Sequence, residues 1–128
     1  MIIFELENVN PKNRKTGDCV IRAITKASGL EYKQVYEMLF NLSLKSGFIL
    51  NDKKVYEKLL NDLGFVKMKQ PRKADNTKYT IGEIDRLIGS GIAVVSCAHH
   101  LTCVKDYVCY DLWDCRYKSI GNYYIKIR

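Results

Sequence analysis

The apolar residues of this chain change their spacing at Gly91. Before it they recur at helical intervals: Val20, Ala23, Ile24 and Ala27, then Tyr32, Val35, Tyr36, Leu39 and Phe40, then Val55, Leu59 and Leu63. Three amphipathic helices are the expectation, with Gly29 and Gly64 as stops after the first and third. After Gly91 the texture is that of strands. IAVVSCA is β-branched and reads as a buried strand, HLTCVK and VCYDLW flank Asp106-Tyr107 as a hairpin, and SIGNYYIKIR reads as a last strand. Helices first and an antiparallel sheet after them predict an α+β domain over residues 1–128.

The remaining segments are weaker signals. Ile2 to Leu6 reads as a short strand or an extended arm, and Phe65 to Gln70 as a weakly alternating strand. Asn8 to Lys15, with Pro11, and Pro71 to Lys78 are polar loops. Thr80 with Glu83 makes a capping box for a short fourth helix through Ile88. Asp18 stands where it caps the first helix with its carboxylate. Tyr32, Tyr36, Leu39 and Phe40 read as core at helical spacing rather than as a binding stripe.

Charge and cysteine usage narrow the function. The N-terminal apolar run is too short for a signal peptide and is broken by Glu5 and Glu7. No run approaches the roughly 18 apolar residues of a membrane span. The expectation is a cytoplasmic protein that does not enter a membrane. Five cysteines, an odd number without a secretion signal, read as free thiols in a reducing compartment. The net charge of +7 suits an acidic partner. Basic clusters at 11–15 and 67–73 come without any RNP, helix-turn-helix or KH signature, so nucleic acid is not the expected partner.

Cys19 is the residue with chemistry. It opens a helix, where the N-terminal amides and the helix dipole stabilise a thiolate and can hold an oxyanion. A nucleophilic cysteine needs a base, and the base needs an orienting group. Only His99 and His100 are available. If Asp106-Tyr107 is a two-residue turn, Lys105 opposes Val108 and His100 opposes Trp113. His100, Asp111 and Trp113 then share one face of the sheet, with Asp111 diagonal to His100. His99 points the other way. A one-residue slip would undo this register and make Asp114 the alternative partner.

These residues resemble a known pattern: a cysteine at a helix N-terminus, a histidine on a strand, then a carboxylate on the next strand. TGDCVIRAI followed by HLTCVKDYVCYDLWDC is similar to the papain-like cysteine proteases, especially small C39-like peptidase domains and short phage and bacterial proteins of GDCV-RAI and HLTAV…DTWD type. DLWD at 111–114 resembles the Asn-Ser-Trp-Gly of papains. The resemblance implies a papain-like fold and a peptidase or amidohydrolase acting on a protein or peptide substrate without a cofactor. It makes Cys19 the nucleophile, His100 the base, Asp111 the orienter and Trp113 its shield. It puts Asn13 where the family has the oxyanion-hole glutamine, with Asn10 as a second candidate. For a phage-encoded protein the location would be the host cytoplasm.

Three rival readings compete. Cys97, His99, His100, Cys103, Cys109 and Cys115 are ligand types, but no C-x-x-C or H-x-x-x-H pairing occurs, and the hairpin register sends Cys103 and Cys109 to opposite faces. No metal is therefore expected, and the four late cysteines read as small core residues. A transferase is compatible with the same triad, since an amine can replace water. A catalytically silent papain-like module of a phage or mobile element, blocking a host factor, is the alternative to an enzyme.

Overall fold

Six strands and four helices follow one another in the computed structural model, which describes residues 1–126. Ile127 and Arg128, the end of the expected last strand, lie outside the described residues. In chain order the elements are β1 (Ile3–Leu6), α1 (Cys19–Ser28), α2 (Tyr32–Ser46), α3 (Lys53–Asp62), β2 (Phe65–Met68), a 3₁₀ turn (Ile81–Glu83), α4 (Asp85–Ile88), β3 (Ile92–Cys97), β4 (His100–Lys105), β5 (Val108–Asp111) and β6 (Tyr123–Lys126). The class is α+β.

The sheet is mixed, in the order β1-β5-β4-β3-β6-β2. This corrects the expected C-terminal antiparallel sheet. β1 lies parallel to β5, and β2 comes from the middle of the chain to pair with β6. Both recruits are four-residue strands whose partners lie far along the chain, so local sequence carries little sign of the pairing. The parallel pair also needs a long crossover, which the intervening helices and strands supply.

Both faces of the sheet are covered. On one face α1, α2 and α3 pack against Val94, Leu101, Cys103 and Tyr124. On the other, Ala93, Val95, Val104 and Cys109 meet Ile2, Ile81, Ile84, Cys115 and Ile120. Two-sided burial explains why β3 reads as an unbroken apolar run rather than an alternation. α2 buries only Val35 and Leu39, one turn apart, against its neighbours. Tyr36 and Phe40 lie one residue further round the helix and are 43% and 46% exposed, not core as expected.

Two hairpins set the site. Asp106 and Tyr107 form a two-residue turn with φ of 50° and 69°, and Lys105 opposes Val108 as expected. Positive φ at both positions matches the twist of a tight hairpin. Ala98 and His99 turn β3 into β4, with Cys97 opposite His100. β1 then holds β5 from its far side. Ile3 N donates to Tyr107 O and Glu7 N to Asp111 O, each at 3.0 Å.

The buried Ile2 side chain anchors that outer strand in the second core. Ile2→Ala should therefore lower unfolding free energy by about 2–4 kcal/mol, measured by urea denaturation, without changing the helical signal of the folded state.

Candidate active site

α1 begins at Cys19 and packs mainly across β4. His100 is the first residue of β4 and Asp111 the last of β5. The β4–β5 register pairs Cys103 with Tyr110, so strand alternation places His100 and Asp111 on the same face, near one end of the sheet. The imidazole Nε2 lies 2.6 Å from Asp111 Oδ2. The Trp113 ring stands 4.8 Å from the imidazole, centroid to centroid, tilted by 45°. The His100 side chain is only 10% exposed. Cys19 is half-buried and lines the same cleft as His100.

One residue that sequence reasoning passed over joins these parts. Arg22, one turn into α1, is buried between two carboxylates. Its Nε donates to Asp18 Oδ1 at 2.8 Å and its Nη1 to Asp111 Oδ1 at 3.0 Å. A chain of contacts therefore runs from Asp18, the residue before Cys19, through Arg22, to Asp111, which is hydrogen-bonded to His100. The signal was present: Arg22 interrupts the apolar run VIRAI, four residues after an acid. A charge in such a place stays buried only if paired.

Asp18 does not cap α1, as had been expected. Its carboxylate makes no bond to the helix amides. It accepts instead from Arg22, from the Tyr32 hydroxyl at 2.8 Å and from Asn10 Nδ2 at 3.1 Å. A charged guanidinium is the stronger donor, so it outcompetes neutral backbone amides. The first amides of α1 keep no side-chain acceptor.

The electrostatics separate Cys19 from Cys97, Cys103 and Cys115. Burial opposes its ionisation, but His100, the Leu101 backbone and the positive charge of Arg22 outweigh burial, and its pKa falls below the ordinary value. Burial pushes Cys97 up to about 11 and Cys103 up to about 12. A bond with Cys109, together with burial, raises Cys115 as well. Burial disfavours charge on His100, yet Asp111, Cys115 and Cys19 together raise it to about 11. Asp111 is also penalised by burial, but His100 and Thr102 bring it down to about 2. Both directions favour a thiolate–imidazolium pair at neutral pH.

The expected oxyanion residues lie elsewhere. Asn13 sits exposed on its loop with φ 52°, accepting from Asn8 Nδ2 at 3.4 Å. Asn10 is committed to Asp18. Neither lines the cleft at Cys19, whose wall instead includes Asn51, Lys53 and Tyr56 at the start of α3. A loop amide cannot be placed by residue spacing alone, which is why Asn13 was misjudged. Asp114 turns outward and binds Arg116 at 2.8 Å and 2.9 Å, so Asp111 alone faces the histidine. His99 occupies the β3–β4 turn with φ 55° and is exposed at the cleft rim.

His100, Asp111 and Cys115 place ligand-type atoms within 4.8 Å of one another. At 2.6 Å the His100–Asp111 contact is a hydrogen bond, too short for two donors that flank a metal ion. Arg22 already holds the other Asp111 oxygen and would repel a cation. Cys109 and Cys115 touch at 3.8 Å between sulfurs as free thiols. Among the described residues no helix is long and apolar enough to cross a membrane. Compared with family models, curated proteins and solved structures, the chain finds no match in any of the three.

Arg22→Met should strand two buried carboxylates and destabilise the fold by roughly 3–5 kcal/mol at pH 7. The sign with pH follows from Asp18, whose carboxyl burial would raise but Arg22, Tyr32 and Asn10 together hold below its ordinary value. Such a carboxylate contributes stability that is fully present above its ordinary 3.8 and is lost as pH falls from there through its lowered folded-state value. The gap between wild type and Arg22→Met, read from urea midpoints, should narrow across that window.

Proposed function

We propose that this chain is a thiol hydrolase of papain-like type that cleaves a peptide or amide bond. The observation that carries the reading is the junction of Cys19, at a helix start, with a histidine held 2.6 Å from a buried carboxylate. The papain-like resemblance supports the same assignment, and so does the Trp113 ring packed 4.8 Å from the imidazole.

The chemistry follows from the arrangement. His100 Nε2 is engaged by Asp111, so Nδ1 is the nitrogen that exchanges a proton with Cys19. The Cys19 thiolate attacks the carbonyl carbon, and the carbonyl electron pair moves to oxygen. The uncapped amides at the start of α1 hold that oxyanion, in place of the Asn13 side chain. Collapse breaks the C–N bond, and the leaving amine takes its proton from His100 Nδ1. Water then gives a proton to His100 and attacks the thioester, releasing the acid and restoring the thiol. An amine in place of that water would make the same site a transferase.

Alkylation by iodoacetamide across pH tests the assignment. Cys19 should be modified below pH 7, ahead of Cys97 and Cys103, as read by peptide mass mapping. His100→Ala should move its midpoint upward, towards the ordinary 9.0. Reactivity at the ordinary midpoint, unchanged by His100→Ala, would falsify the enzyme reading and leave a binding module. With a substrate in hand, kcat/KM should rise as Cys19 ionises and fall as His100 loses its proton towards about 11. Asp111→Asn should reduce kcat by about 10²–10⁴.

A further inference from the structure

The cleft at Cys19 continues in two directions, and its two ends differ in chemistry. The central part, about 390 Å³, shares Ser96 and Cys97 with a second hollow of about 370 Å³. That hollow is walled by Gln70, Lys78, Lys118, Ser119 and Gly121. Through Asn51, on a different wall from Ser96 and Cys97, the centre also adjoins a hollow of about 310 Å³ that includes Ile21, Tyr36, Ile49 and Leu50. The result is a trough with the thiol near its middle, apolar and aromatic at one end and basic at the other. The basic arm has a consistent charge. Lys78 and Lys118 have no carboxylate within ion-pairing distance among the described residues, and neither does Lys53 at the centre, whose ammonium donates to Asn122. No acidic side chain lines the centre or the basic hollow. His99 stands exposed on the rim in a left-handed conformation.

We propose that the substrate is an acidic peptide segment, with its carboxylates lying across Lys78 and Lys118 on one side of the scissile bond only. The inference rests on the proposed role of Cys19 and adds the substrate's charge and the side on which it is read. The other end of the trough offers no cation, and Asp18, in its wall, is already bound to Arg22. A peptide held in one direction therefore meets the lysines before or after the reacting carbonyl, not on both sides. The carboxylate-free lining and the two unpaired ammonium groups supply the recognition. Their pull is screened by salt, as exposed charges are.

Two thiol-directed reagents test this by extending from Cys19 in opposite directions. Bromoacetyl-Ala-Glu-Glu-amide and its Gln-Gln counterpart react by displacement of bromide as the C–S bond forms. Acetyl-Glu-Glu-Ala-chloromethyl ketone and its Gln-Gln counterpart lose chloride in the same way. The rate of mass addition at Cys19 is measured for all four at low and high salt. In one direction the Glu reagent should react about fivefold faster than its Gln counterpart. Lys78→Gln with Lys118→Gln, or high salt, should remove that preference. Both lysines are surface residues, and circular dichroism checks that the variant is folded. Equal rates in both directions overturn the inference, as does an equal Glu preference in both, which would report only the net charge of +7. Each of these outcomes is separable from failure of the active-site reading. That reading is judged by the iodoacetamide midpoint of Cys19, which no peptide charge affects.

Discussion

The guanidinium of Arg22 holds the site together because it is buried with two carboxylates and serves both. It fixes Asp18 from one turn away on the same helix, and Asp111 from the other end of the chain. Burial works against the charge of both acids, and Arg22 donates to each of them, alongside His100 at Asp111 and Tyr32 and Asn10 at Asp18. The pairing therefore docks the start of α1 to the end of β5 at a defined angle. Cys19 and His100 lie next to those two anchor points, and their separation is fixed by the same contact. Such an ion pair adds little net stability over an apolar substitute. Its value here is in geometry, since it permits only one arrangement of helix and strand.

A second consequence concerns charge. Asp111 divides its oxygens, one to Arg22 and one to His100. Arg22 fixes the carboxylate's rotation, and the carboxylate in turn fixes the imidazole ring and favours its protonated form. The protonated ring then favours thiolate at Cys19. β1 supports this from outside, through the Glu7 amide bound to the carbonyl of Asp111 itself. The Trp113 ring packs beside the imidazole, 4.8 Å away between centroids. A parallel strand at the sheet edge thus contributes to the site without placing any side chain in it.

The helices were legible because amphipathic periodicity is a local property, and their glycine stops at Gly29 and Gly64 hold. The meeting of His100 with Asp111 was legible for a different reason. A two-residue turn fixes register, and register fixes faces, so one correct turn at Asp106-Tyr107 placed both residues. What failed was non-local or competitive. The β1–β5 pairing joins two short strands from opposite ends of the chain. Tyr36 and Phe40 satisfy a helical stripe, but α2 has neighbours along only part of it. Asn13 needed a loop conformation that spacing does not specify. Arg22 was overlooked because a cation in a helix is ordinarily solvated, and only its place within the apolar run VIRAI, four residues after Asp18, argued otherwise.

Asp18 shows how one substitution of partners changes what the helix start can do. A capping aspartate would fill the N-terminal amides of α1 with its own negative charge. It would also sit as an anion beside the sulfur and oppose thiolate formation. Turned towards Arg22, Tyr32 and Asn10, the same residue is neutralised and leaves those amides unfilled. Unfilled amides at a helix N-terminus are costly to bury, yet they are the groups that a developing oxyanion requires. The Asp18 carboxylate is thus engaged by the same arginine that holds the His100 partner, Asp111. If the proposed hydrolase chemistry holds, Arg22 is what leaves the helix-start amides open to an oxyanion, without a side-chain amide such as Asn13.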